Sequence, residues 1–436
     1  MKQKTQNRIA FILCGILAVP LYGQKTYTLE QCRAMALSCN IKIRQAHTGV
    51  HTAEQTRKEA YTAYFPTVSA TGAAYNANKG LVQMELAPGM RMSMLKNGII
   101  GSIIATQPVF AGGQIVNSNR LARVGVDVSR LQQWLSENEV SLTVEQYYWQ
   151  VVTLQEKRKT LITVEKMLEH LRRDVSTAVD AGITTRNDLL QVELKQNEIA
   201  GDKIKLENGL ALSKTILAQY IGAEGEGFGV TAGNGFAVAS EILIGEVPLF
   251  PVQLRKDHQA SLKQTPAYNL LEKNVEAQAL QKKLTVGKYL PTVAVGAGYM
   301  YDNLMDKSHP FGIAFATVSI PITQWWGGSH AVKKQSAQLK YAEYERTNSG
   351  ELLVIKMQKV WNDVEDAYKQ ILIADKSIRQ AMENLRLNQD YYKAGTTTLS
   401  DLLTAQSLFQ QSSDKYTDAY ALYQVKKLEY LQVTGQ

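Results

Sequence analysis

The sequence predicts an α+β membrane protein, internally duplicated, whose long coiled-coil helices carry four short β-strands per chain into a β-barrel shared between copies. Three observations lead there. The second half repeats the first, and each half holds a stretch of roughly 67 residues of helix-forming sequence without proline. The strands ahead of each stretch alternate large and small residues over about the ten positions that a tilted strand needs to cross a bilayer.

The repeat sets the frame. With residue n placed on n+213, Pro108 falls on Pro321, Thr185 on Thr398, Asp188 on Asp401, Leu189 and Leu190 on Leu402 and Leu403, and Gly222 on Gly435. AGITTRNDLL at 181 then faces AGTTTLSDLL at 394. Earlier in each half the shift becomes 225, with YFPTVSATGAAY at 64 facing YLPTVAVGAGYM at 289, so the intervening loop is 12 residues longer in the first half. The chain divides into a leader over 1–23, a first repeat over 24–222, a Gly- and Pro-rich linker over 223–256 and a second repeat over 257–436.

The leader opens with Lys2, Lys4 and Arg8, continues as IAFILCGILAV and reaches small or turn-forming residues before Gln24, the layout of a cleaved secretory signal. Its apolar run of about 11 residues is short of the roughly 20 of a spanning helix. Cys14 sits inside that run after Leu13, where a lipid-attachment site would show a small residue. Cys32 and Cys39 survive processing; seven residues apart in one expected helix they stand roughly 10 Å apart, too far for a disulfide, and are expected as free thiols.

The first helix of the first repeat is expected over about 29–60, ending ahead of Pro66 because the residue before a proline avoids helical angles. Strands follow at 66–77 and 98–107, and in the second half from 292 to 301 and 311 to 320. There Val293, Val295, Ala297, Tyr299 and Tyr301 alternate with Thr292, Ala294, Gly296, Gly298 and Met300, and Phe311, Ile313 and Phe315 with Gly312, Ala314 and Ala316. Bulky residues are expected toward lipid and small ones toward the lumen. Tyr64, Phe65, Phe110, Tyr289, Trp325 and Trp326 cluster where chain enters and leaves the strands, as an aromatic belt at one membrane interface would. About eight strands are needed to close a barrel, and open edges are not tolerated in lipid, so four strands per chain require several copies.

The rods run over about 113–180 and 328–394, roughly 100 Å each at 1.5 Å per residue. Leu121, Val124, Val128, Leu131 and Leu135 keep a helical spacing, as do Leu161, Val164, Leu168, Leu171 and Val175. Leu402, Phe409, Tyr416, Tyr423 and Tyr430 keep a seven-residue step, the mark of coiled-coil packing. Each rod ends in a tight turn. Gly182 and Gly395 can take the left-handed cap, and Thr185 and Thr398 precede Asp188 and Asp401 by three residues, a capping box that opens the next helix.

The formal charge of +8 falls to about +5 without the leader and is scattered, which gives no footprint for nucleic acid. No HExxH, GxxxxGK[ST] or GxSxG occurs, GEGFG at 225 lacks the third glycine of a dinucleotide loop, and no enzyme, cofactor or metal is expected. His47 and His51, four apart on a helix, have no third ligand in view and are expected at the surface.

Taken together, the opening YTLEQCRAMAL, the YFP and YLP strand starts, the QPVFAGG turn with its counterpart IPITQWWGG, and the paired tips resemble the TolC-like outer-membrane efflux proteins over nearly all of the mature chain. The resemblance implies a homotrimer with a 12-stranded barrel in the outer-membrane lipid above a long α-helical barrel in the periplasm. It implies an exit duct that works with a periplasmic adaptor protein and an inner-membrane pump. It makes the tip turns, with Gly182, Thr184, Thr185, Gly395, Thr397 and Thr398, the surface for adaptor docking. In the family the second tip carries aspartates that ring the constriction; Asp401 matches the first, and Thr404 stands where the second would be. Asp401, with Asp188 as its counterpart, is therefore either an aperture residue or a helix cap alone. The alternative for the whole chain is a periplasmic adaptor, which would show a lipoyl-like module and one hairpin rather than two repeats.

Overall fold

The structure is a computed structural model that describes residues 25–79, 82–88, 90–94, 97–223, 236–239, 242, 246–303 and 308–436. The leader and part of the expected linker lie outside them. Strand β1 (Lys25–Tyr27) is followed by helices α1 (Leu29–Cys39) and α2 (Ile41–Thr62), then β2 (Thr67–Asn76), β3 (Val82–Ala87), β4 (Met90–Met94) and β5 (Asn97–Ala111). The first rod is α3 (Gln114–Asp180), returning as α4 (Arg186–Ile221). After β6 (Phe236–Val238), α5 (His258–Leu262) and α6 (Pro266–Gly287) come β7 (Thr292–Asp302), β8 (His309–Ser319), the second rod α7 (Gln324–Lys393) and its return α8 (Leu399–Val433). The succession α2, β2, β5, α3, α4 thus recurs as α6, β7, β8, α7, α8.

Four elements differ from the sequence expectation. The first helix is two: the Asn40 side chain accepts from Lys42 N at 2.9 Å and caps α2, while its own N–H bonds to Ala36 O and closes α1. The longer loop of the first half contains an antiparallel hairpin, β3 with β4. The expected linker is not wholly irregular, because β6 pairs in parallel with β1. The second rod also starts at Gln324, so Trp325, Trp326, Gly327 and Gly328 lie in its first turns. The GG pair of the first half instead takes φ of 59° and 75° ahead of α3, so the two glycine pairs are not equivalent.

Each rod stays helical because a stripe of apolar residues finds a partner along its length. Toward the tips Leu161, Val164, Leu168, Leu171 and Val175 are buried against Val192 and Ile199 of α4 and against Leu385, Leu399, Leu402 and Ala405. At mid-length Val140, Val144, Tyr148, Val151 and Val152 join Val360, Trp361, Val364 and Ile371 of α7 and Tyr416, Tyr423 and Tyr430 of α8. Burying each such side chain contributes about 1.5–3 kcal/mol. The seven-residue stripe of α8 is thus inside, with Phe409 half-buried. A waist layer of α1 and the residues around 236–262 covers this second cluster, with Tyr148 donating its hydroxyl to Ala239 O at 2.6 Å and Tyr430 Oη accepting from Lys256 N at 3.0 Å.

All four long strands form one antiparallel sheet in the order β2-β5-β7-β8. The helices below follow the same order, since α2 packs on α3, α3 on α6 and α6 on α7. Each strand is a direct continuation of one of those helices, so one lateral order serves both layers. Strands β2 and β8 are left as edges. No helix among the described residues is long and apolar enough to cross a membrane.

Candidate functional site

The sheet has two unlike faces, and the strand register defines them. On one face the rows read Val68–Ala105–Ala297–Ala314 and Ala70–Ile103–Tyr299–Gly312, with Val295 and Val318 beyond. Ile103 and Tyr299 are more than half exposed there; the amides of that face are Gln107 near the helices and the pair Asn76 and Asn97 at the far end. On the other face lie Thr67, Ser69 and Thr71 of β2, Ser102 and Thr106 of β5, and Thr317 and Ser319 of β8. Asp302 and His309, 3.7 Å apart, end that face at the hairpin tip. An apolar band on one face and polar groups on the other are what a membrane barrel needs.

The register overturns half of the expected side-chain pattern. Phe311, Ile313 and Phe315 stand opposite Met300, Gly298 and Gly296, on the polar face, and not beside Tyr299. The cause is complementarity across strands: a Cβ on Gly296 would stand 2.4 Å from the Phe315 ring, and one on Gly298 would stand 2.7 Å from Ile103 O. The large residues of β8 and β5 fill the spaces that the β7 glycines leave.

At the junction with the helices Tyr64, Phe65, Phe110, Trp325 and Trp326 are exposed, Trp326 by 83%, while Tyr289 is half-buried. Beyond a bulge at Val109, Phe110 pairs with Val293, on the apolar face. Trp325 Nε1 donates to Tyr289 O at 2.9 Å, and the Tyr289 ring lies where a Cβ on Gly328 would come within 2.7 Å. The opposite junction closes by contact between glycines. A Cβ on Gly112 would stand 2.3 Å from Gly287 O, so β5 and α6 approach at backbone distance.

At the far end both tips have one construction. Gly182 and Gly395 adopt φ of 71° and 72°. Their N–H groups bond to Val179 O and Tyr392 O, and the next residues' N–H groups to Ala178 O and Tyr391 O, at 2.8–3.0 Å. Both capping boxes are complete: Asp401 N bonds to Thr398 Oγ1 at 3.2 Å, and Asp401 Oδ2 accepts from Thr398 N, Thr398 Oγ1 and Thr397 Oγ1 at 3.2, 2.6 and 3.1 Å. Asp188 Oδ2 accepts from Thr185 N and Thr185 Oγ1, and Thr184 Oγ1 donates to the same oxygen. Hydrogen bonds from Thr398, then Thr397, hold the Asp401 carboxyl below its ordinary range, and bonds from Thr184 and Thr185 do so for Asp188. Asp401 is exposed, whereas Asp188 is half-buried.

Elsewhere, burial raises the Cys32 thiol to about 12; Cys32 and Cys39 are both free. Glu145, buried in the waist, is paired to Arg33 and accepts from Trp149 Nε1 at 2.9 Å, a structural contact that sequence spacing did not flag. His47 and His51 are exposed on α2. No group of three metal-ligating side chains occurs among the described residues.

The family model described as outer membrane efflux protein matches residues 259–436. No curated protein matches the chain by sequence. Three solved structures show the same fold. The outer membrane channel CmeC of Campylobacter jejuni is 12% identical, with a TM-score of 0.79 over 100% of this chain and 93% of that one. The outer membrane protein VceC of Vibrio cholerae is 12% identical, with a TM-score of 0.78 over 93% of this chain and 96% of that one. The open state of the MtrE outer membrane channel of Neisseria gonorrhoeae is 15% identical, with a TM-score of 0.72 over 93% of this chain and 88% of that one.

Proposed function

We infer that this chain, which matches the outer membrane efflux protein family over residues 259–436 and has the fold of the outer-membrane channels along its length, is one subunit of an exit duct. It sits in the outer membrane and reaches into the periplasm. The observation that carries this reading is the four-stranded sheet. It is apolar on one face, carries the Thr and Ser side chains among apolar ones on the other, is open at both edges, and stands on helices that run roughly 100 Å away from it. Such a sheet is incomplete alone. Three copies would join β2 of one chain to β8 of the next and close 12 strands, with no raw edge left in lipid. The two repeats, 24–222 and 257–436 with 223–256 between them, are the halves of one duplicated wall. The tips would meet a periplasmic adaptor, which passes cargo from an inner-membrane pump. The chain performs no catalysis in this reading. An adaptor role is disfavoured by the membrane-length strands and by two hairpins rather than one.

Asp401 reconciles the two roles that its sequence position allows. All three bonds that it accepts at the cap fall on Oδ2, and the residue is exposed. Around a threefold axis three such carboxylates would converge and focus a negative potential that attracts cations. The test is single-channel current in a planar bilayer, with di- or trivalent cations added from the tip side. Wild type should conduct and be blocked, Asp401→Asn should conduct with little block, and Asp188→Asn should remain blocked. Absence of conductance overturns the duct, and equal block in all three proteins reduces Asp401 to a cap.

A further inference from the structure

We propose that the groove between α2 and α3, just below the sheet, is a binding site for the anionic phosphate headgroup of a phospholipid in the periplasmic leaflet. The proposal rests on the outer-membrane placement argued above. The groove encloses about 740 Å³ and brings together Arg57 and Lys58 of α2 with Arg120 and Arg123 of α3. Among the described residues no ion pair is formed by any of these four. Just below them Arg130 is paired with Glu54 at 3.0 Å.

The groove is graded as a lipid is. Nearest the sheet it is lined by Tyr61, Tyr64 and Val116, and the cations follow further out. Counted at 1.5 Å per residue, Arg57 and Lys58 lie roughly 7 Å inside the end of α2, and Arg120 and Arg123 roughly 9–14 Å inside the start of α3. Side chains on a helix tilt toward its N-terminus, which for α3 is the membrane end, so both arginines reach back toward the bilayer. Asn119 Nδ2 donates to Ala60 O at 2.8 Å and to Ile115 O at 2.9 Å, which fastens the two helices together at the floor.

In the proposed duct the groove opens on the outside of the wall. Val116 and Arg123 precede Val144 and Val151 by whole seven-residue steps, and these valines belong to the cluster covered by the waist layer. That layer must be external, because a duct blocked by it could not conduct. Guanidinium groups suit a phosphate by their paired donors, and aromatic rings with basic residues beside them are favoured at the headgroup level.

The test uses the full-length protein in nanodiscs of phosphatidylcholine, with and without phosphatidylglycerol, followed by native mass spectrometry of the lipids retained. Wild type should keep phosphatidylglycerol over phosphatidylcholine, one per chain. Arg120→Gln with Arg123→Gln should lose that retention on the order of tenfold or more. Arg172→Gln with Arg173→Gln, near the tip, should not. Circular dichroism and chemical cross-linking of each variant establish that fold and assembly are intact, and the single variant Arg120→Gln gives a milder change with the same expected direction. No headgroup preference in wild type, or none lost in the variants, overturns the proposal. Displacement by inorganic phosphate makes the groove a free-anion site and overturns the lipid assignment. Groove residues that retain no lipid but cross-link to a periplasmic protein overturn it in favour of protein docking. A wild-type chain that enters neither bilayer overturns the outer-membrane reading itself, a failure distinct from the others.

Discussion

A glycine in a strand is informative when its neighbours across the sheet use the space it leaves, and β7 offers a paired contrast with β5. A Cβ on Gly296 would collide with the Phe315 ring, whereas nothing lies within 4 Å of one on Gly101. Gly296→Ala should therefore destabilise the sheet by about 1–3 kcal/mol through overpacking, and Gly101→Ala should be nearly neutral. Thermal dissociation of the detergent-solubilised oligomer reads the difference; equal effects would show that Phe315 does not rest on Gly296. The same residues mark what the sequence could and could not give. Alternation within one strand fixes which residues share its face, and that was legible in β7 and β8 separately. Which face of β8 joins which face of β7 depends on register, and a slip of one residue reverses it. The tip caps were legible because Thr185 with Asp188 and Thr398 with Asp401 act over three residues of local chain, where no register intervenes.

The long helices were legible as elements because an apolar stripe repeated over some nineteen turns outweighs any local ambiguity. Their bounds fell within a few residues of expectation. The elements that were missed are short: the break at Asn40 between α1 and α2, the pairing of β1 with β6, and the hairpin of β3 with β4 inside the longer loop. One feature of α8 has no counterpart in any pattern. Asp414 is half-buried, and burial raises its carboxyl to about 6 against the attraction of Lys157 and with the repulsion of Asp418. Lys157 is itself bonded to Asp418 at 2.8 Å. A carboxyl whose folded value lies above its unfolded 3.8 favours the folded state most below 3.8, and that contribution is lost as pH rises through about 6. Thermal stability should accordingly fall between pH 5 and pH 7 by more in wild type than in Asp414→Asn. Parallel melting curves for the two proteins across that range would remove Asp414 as the cause.

At the scale of the molecule, the lateral order α2-α3-α6-α7 and the strand order β2-β5-β7-β8 are one order, because each strand prolongs a helix. Both layers are then open along the same two flanks, and in the proposed duct neighbouring copies close both together. Cross-linking in detergent should give three chains as the limiting species, and a stable monomer in that experiment would sink the shared barrel. The copy number was not legible from one chain's residues, since four strands exclude a monomeric barrel without choosing among larger rings. The rods' length has a mechanical consequence. With the sheet end fixed in the bilayer, a rod of roughly 100 Å is a lever, and a tilt of about 5° at its root carries the tip about 9 Å sideways. In the proposed duct, an aperture at that end would therefore dilate by many ångströms through small angular changes at the root.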